Sequence, residues 1–161
     1  MLMKILIPVD GGPLTAELVP AFRHWVGGTG AQVYLLAVRP QPTRIERRGD
    51  RIVHLDEQQA EEQATWGCYL TGLRGQLAYA GVVVRQAVQF GDPLAQTLAA
   101  AERYGVEAIA VAEPRQSWLQ RACRPSLAQQ LLACATVPVL VMPGPLPHHP
   151  SARLQYGGGA I

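Results

Sequence analysis

Between Glu107 and Met142 the chain reads EAIAVA, then EPRQSWLQRACRP, then SLAQQLLACA, then TVPVLVM, a pattern of strand, loop, helix and strand. The turn between such a strand and such a helix is where α/β proteins hold phosphate, on bare backbone N–H groups at the helix start. Here that loop contains no glycine. Ala112, Arg115 and Pro125 stand where bare backbone is wanted, and Ser126 remains as a donor at the helix start. Arg115 puts a side chain in the way of a phosphate and gives up the positive-φ freedom of glycine. Pro125 has no N–H to offer. Ala112 is the mildest change, a single methyl group. The chemistry implied is anion binding with part of the equipment removed.

Catalytic constellations are weaker. His24 and His54 fall on different expected elements, and His148 and His149 sit in a C-terminal tail. No Ser/His/Asp arrangement, paired metal-ligand set or GxxxxGK[ST] motif is present. Cys123, between Arg121 and Arg124, is the thiol whose pKa those cations would lower, whereas Cys134 reads as core filler of a helix.

Five short apolar runs separated by helical patterns must position these residues. Lys4–Asp10 is a β-branched run ending in a Gly11-Gly12-Pro13 turn, and Gln32–Val38 is a second strand. Between them Leu14, Leu18, Phe22 and Trp25 recur at helical spacing, with Pro20 as a kink and Gly27-Gly28 as the stop. Arg39 to about Asp50 reads as a polar loop. A long helix follows, with Trp66, Leu70, Leu73 and Leu77 on its buried face and Gly81 ending it. Val82–Val88 is the third strand, and its Arg85-Gln86 pair suits a sheet edge. Asp92-Pro93 starts a helix that runs to Tyr104 and Gly105. Glu107–Ala112 and Val137–Met142 are strands four and five, and the helix between them starts near Ser126.

Alternating βα units predict a parallel sheet with right-handed crossovers and helices on both faces, a doubly wound α/β fold. Residues 1–142 then form one domain, followed by a Pro- and Gly-rich tail at 143–161. Ligands in such folds sit beyond the carboxyl ends of the strands, where strand order reverses. Asp10, Val38 and Ala112 end strands and are placed there.

Composition bounds the partners. With 48% hydrophobic and 16% charged residues the chain is a globular one, and a net charge of +2 gives no case for nucleic acid or a membrane surface. Three scattered cysteines, Cys68, Cys123 and Cys134, suit a reducing cytoplasm. Met1–Val9 carries no cleavage pattern, and Leu131–Met142 is too short to span a bilayer. The expected location is cytoplasmic.

The runs ILIPVDGG (Ile5–Gly12), FGDP (Phe90–Pro93) and IAVAEPRQSWLQRACRPSLAQQLLACATVPVLVM (Ile109–Met142) resemble the universal stress protein family. The resemblance implies a Rossmann-like, adenine nucleotide alpha hydrolase-like sheet of five parallel strands in the order 3-2-1-4-5. In the ATP-binding branch of that family the fourth strand is followed by three glycines and a hydroxyl, which fall here on Ala112, Arg115, Pro125 and Ser126. Asp10 and Val38 match the residues that touch adenine. Asp10 also reads as the cap of the following turn, and Ser126 as an ordinary helix N-cap.

Arg115, Arg121 and Arg124, with Arg39, Arg44, Arg47, Arg48 and Arg51, offer a cationic rim for an anionic ligand, guanidinium being a bidentate phosphate binder. Glu46, Asp50 and Glu113 dilute that charge. The resemblance thus implies a non-enzymatic stress-response module with no resident cofactor and weak ATP binding, the alternative being a sensor of adenine nucleotide or another anion. Its partner is expected to be a second copy, paired through the last strand at Val137, Val139, Val141 and Met142.

Overall fold

KILIPV forms β1 (Lys4–Val9), and Ile5, Leu6 and Ile7 are wholly buried, so this strand is covered on both faces. It lies at the centre of a computed structural model that describes residues 3–10, 21–22, 26, 28, 30–78, 81–113 and 125–143. The Gly11-Gly12-Pro13 turn, Pro20, Arg115, Arg121, Cys123, Arg124 and the tail beyond Pro143 lie outside the described residues.

The remaining elements are β2 (Gln32–Arg39), β3 (Glu46–Arg48), β4 (Arg51–Val53), α1 (Leu55–Ala78), β5 (Val83–Phe90), α2 (Pro93–Tyr104), β6 (Ala108–Glu113), α3 (Leu127–Cys134) and β7 (Val139–Pro143). Five strands make one sheet in the order β5-β2-β1-β6-β7, every neighbouring pair parallel. This is the expected 3-2-1-4-5 order, counted along the large sheet. Strand order reverses at β1, which pairs Ile5 with Val33 of β2 on one side and with Ala108 of β6 on the other.

Each face of the sheet has its own core. Ile5, Ile7 and Val9 join Val33 and Leu35 under Leu70, Leu73 and Leu77 of α1, with the helical Phe22 and Val26. Leu6, Tyr34, Leu36 and Ile109 pack under Ala100 and Ala101 of α2 and Leu131 of α3. Tyr34 also stacks on Tyr104, ring centres 4.6 Å apart. The ends of α2 follow their sequence signals. Asp92 accepts a bond from the Ala95 N–H at 2.9 Å, and Gly105 closes the helix in the left-handed region at φ 59°.

Three expectations are corrected. Cys134, expected as core filler of its helix, is exposed at the end of α3. The stretch from Arg39 to Asp50 is not only loop, because β3 and β4 form an antiparallel hairpin that pairs Arg47 with Ile52 and Glu46 with Val53. Gly49 supplies the turn, at φ 63°. Three-residue strands rich in charge show no apolar alternation, so nothing in the pattern announced them. The last strand begins at Val139, leaving Val137 outside it, and the Pro138 carbonyl accepts from the Ile109 N–H at 2.9 Å. β7 lies at the sheet's edge, where Pro138 just before it costs no ladder bond. Val83 at 53% exposure confirms β5 as the other edge.

A buried glutamine fastens the hairpin to α1. The Gln58 amide donates to the Arg44 carbonyl at 2.9 Å and the Val53 carbonyl at 3.1 Å, joining the loop and β4 to the first turns of the helix. Gln58→Leu keeps the shape and strands both carbonyls. It is expected to cost about 1–3 kcal/mol of stability in a denaturant titration, with faster amide exchange at β3 and β4. A change within a few tenths of a kcal/mol would show that water replaces the amide at no loss.

Candidate functional site

The carboxyl ends of β1, β2 and β6 border a cavity of about 400 Å³ at the point where strand order reverses. Pro8, Val9 and Asp10 come from β1 and its end, Leu36 and Val38 from β2, and Val111 and Ala112 from β6. The far wall is helical, with Pro93 and Thr97 of α2 and Ser126, Leu127 and Ala128 at the start of α3. Four of the expected residues, Asp10, Val38, Ala112 and Ser126, therefore meet in one place. Pro125 is exposed beside Ser126 and is not part of the wall, and Arg115 lies outside the described residues.

Thr97 was not foreseen. It is fully buried, and its hydroxyl donates to the Pro93 carbonyl at 2.7 Å. Its signal was its register: Leu94, Thr97, Leu98 and Ala101 follow the i, i+3, i+4, i+7 spacing of the apolar face of α2.

The α3 start explains what the crevice can hold. Ser126 has extended backbone, and its hydroxyl oxygen accepts from the Gln129 N–H at 3.2 Å. In return the Gln129 side-chain oxygen accepts from the Ser126 N–H at 3.0 Å, completing a capping box. Pro125 contributes no N–H, and Gln130 reaches back to its carbonyl at 3.1 Å. Of the amides an incoming phosphate would meet first, two are engaged within the helix end and one is absent. Among the described residues of this helix start, the Leu127 and Ala128 amides are left to donate.

The opposite side of the same sheet edge is aromatic. The Arg39 guanidinium sits 4.6 Å from the centre of the Trp66 ring and is paired with Glu62 at 2.8 Å. Trp66 meets Tyr69 edge-on at 5.5 Å. Tyr69 holds its proton above the ordinary value of 10.0, first because of burial and second because of the Asp10 carboxylate. The folded state thus binds this proton more tightly than the unfolded chain. The linked stability is constant below pH 10 and falls as pH rises through the raised value. Asp10→Asn is expected to move the Tyr69 titration only part of the way back, since burial is the larger cause. Tyrosinate absorbance, taken as the difference from Tyr69→Phe, measures this, and an unmoved midpoint would remove Asp10 from the vicinity of the ring.

Three of the five described arginines of the cationic rim are paired with carboxylates. Besides Arg39, Arg48 pairs with Glu61 at 2.8 Å and Glu46 at 3.0 Å, and Arg51 pairs with Glu57. The α1 carboxylates Glu57, Glu61 and Glu62, four positions apart or adjacent, are the partners that the arginines alone did not reveal. Among the described residues no group of three His, Cys, Asp or Glu is placed to hold a metal ion, and no helix is long and apolar enough to cross a membrane.

With this geometry in view, comparison with known proteins is informative. A model of the universal stress protein family matches residues 1–143. Among solved structures, universal stress protein UspA from Lactobacillus plantarum aligns at a TM-score of 0.68 and 15% identity, over 87% of this chain and 97% of that one. A universal stress protein from Archaeoglobus fulgidus in complex with dAMP aligns at 0.56 and 20% identity, over 86% and 96%. A universal stress protein in complex with cAMP aligns at 0.68 and 12% identity, over 89% and 98%. At such identities these likenesses establish the fold. A search of curated protein sequences found no match.

Proposed function

Since the chain belongs to the universal stress protein family, matched over residues 1–143, we propose that it is a non-enzymatic, homodimeric stress-response regulator in which ATP binding is weakened or lost. The observation that carries this reading is the helix end at the crevice. Pro125 lacks an N–H, and the Ser126 and Gln129 amides are tied up in a capping box. A triphosphate would have to break that box or go without its donors. A cytoplasmic place of action belongs to the same reading.

A second reading is a sensor of an adenine nucleotide or another small anion. The cavity of about 400 Å³ with Asp10 and Val38 in its wall favours it, as do the two relatives whose structures hold dAMP and cAMP, each with one phosphate. Mass spectrometry of whatever leaves the purified protein on denaturation separates the two. An empty crevice supports the first reading, and a stoichiometric nucleotide supports the second and refutes the first if that nucleotide is ATP.

A further inference from the structure

A second cavity, of about 610 Å³, runs between α1 and the segment from Arg39 to Arg48. Its α1 wall is made by Gln58, Glu61, Glu62 and Thr65, spaced i, i+3, i+4 and i+7 and so on one face of the helix. Gln58 is 8% exposed, and both its bonds run from the amide nitrogen; its Oε1 takes none among the described residues. No side-chain oxygen or nitrogen of those residues is both buried and unpartnered, so the cavity reaches this oxygen. Glu61 gives Oε2 to Arg48, and Glu62 gives Oε2 to Arg39, which leaves Oε1 of each without a partner among the described residues. One wall thus carries three unclaimed acceptors. The other wall carries donors. Arg44 has no carboxylate partner among the described residues. Arg39 is held by its Nε on Glu62 and by its face on Trp66, so its two terminal nitrogens are positioned and unclaimed there. Ile45, 59% exposed, adds apolar surface with Pro40 and Pro42.

We propose that this cavity binds a short zwitterionic peptide, a di- or tripeptide with apolar side chains. Its α-ammonium sits on Gln58, Glu61 and Glu62, its α-carboxylate on Arg44 and the end of Arg39, and its side chains on Ile45 and the two prolines. Charge decides the class. Among the described residues the lining holds three arginines, at 39, 44 and 48, against three glutamates, at 46, 61 and 62. A phosphate would meet Glu61 and Glu62, and a polyamine would meet Arg39 and Arg44, whereas a zwitterion satisfies both walls. An ammonium has three N–H donors, and α1 presents three acceptors. The volume exceeds what a single amino acid fills and lies in the range of small-ligand sites. The crevice at the strand ends is a separate cavity that shares only Arg39 and Pro40 with this one, so the peptide site stands whichever nucleotide reading holds.

The test is calorimetric titration of the whole protein with leucyl-leucine, leucyl-valine and alanyl-leucine. At least one is expected to bind, and N-acetylation or C-amidation of that peptide should each weaken it about tenfold or more. Arg44→Gln should weaken the free peptide by a similar factor and leave the C-amidated one unmoved, because the lost carboxylate and the lost guanidinium are one interaction. Glu61→Gln should do the same at the other end, weakening the free peptide and sparing the N-acetylated one. Gln58 bonds to the backbone carbonyl of Arg44 and not to its side chain, so Arg44→Gln keeps the fold, which circular dichroism checks. The proposal is overturned if none of the three dipeptides binds, if blocked termini bind as well as free ones, or if free leucine binds as tightly. An affinity that neither variant moves would overturn it too.

Discussion

Calorimetric titration with MgATP is expected to return a dissociation constant in the millimolar range. A charge-assisted hydrogen bond to phosphate contributes about 1.5–3 kcal/mol, and Pro125 removes one donor outright. Opening the Ser126–Gln129 capping box to free its two amides would cost about 1 kcal/mol more. Together these losses come to about 2.5–4 kcal/mol, on the order of a hundredfold to a thousandfold in affinity. Adenosine and ATP should therefore bind with similar affinity, because the phosphates find little to hold. A constant near ten micromolar or tighter would refute the claim. The combined change Ala112→Gly, Arg115→Gly and Pro125→Gly should restore binding by about tenfold or more, leaving Ser126 as the cap. If ATP binds no better to that variant, the obstruction lies elsewhere in the crevice.

The second large effect concerns assembly. β7 is an edge strand with half-buried Val139, Leu140, Val141 and Met142. Leu140 and Met142 lean on one core, and Val139 leans on the other with Val137. An uncharged apolar edge invites a second strand unless something covers it. Light scattering at tens of micromolar should show a dimer, with the two β7 strands antiparallel about a twofold axis. Each interface residue then appears twice, so Val139→Lys should weaken the dimer by on the order of 100-fold or more, through a charge buried without a partner on each side. Met142→Glu, at the border, should do the same more mildly and guards against a folding defect in the first variant. A monomeric wild type refutes the proposal, and a dimer indifferent to both changes places the contact on another surface.

The legible parts of the chain were those where burial leaves an unbroken mark. β1 and β2 are buried on both sides and read as continuous apolar runs. Asp92 and Gly105 announce the ends of α2 because caps require those residue types. Asp10, Val38 and Ala112 were found because strand ends face the crevice in any doubly wound sheet. Ser126 was readable as a cap, but its reciprocal bond with Gln129 depends on one glutamine rotamer. The hairpin was hidden because its one buried side chain, Val53, stands among charges. Likewise Arg39, Arg48 and Arg51 read as part of a cationic rim until α1 brought Glu62, Glu61 and Glu57 alongside.

The central position of β1 has a consequence during synthesis. β1 leaves the ribosome about a hundred residues ahead of its second neighbour, β6, since Ile5 pairs with Ala108. At ordinary translation rates the interval is about 5–20 s. Throughout that time β1 can pair only along its edge toward β2, and its other edge stays open to strangers. Pairing over such a separation also slows the folding step itself. The nascent chain is thus open to mispairing along that edge for as long as β6 is unmade. The strand at the heart of the sheet precedes every other strand, yet it is closed only when β6 arrives.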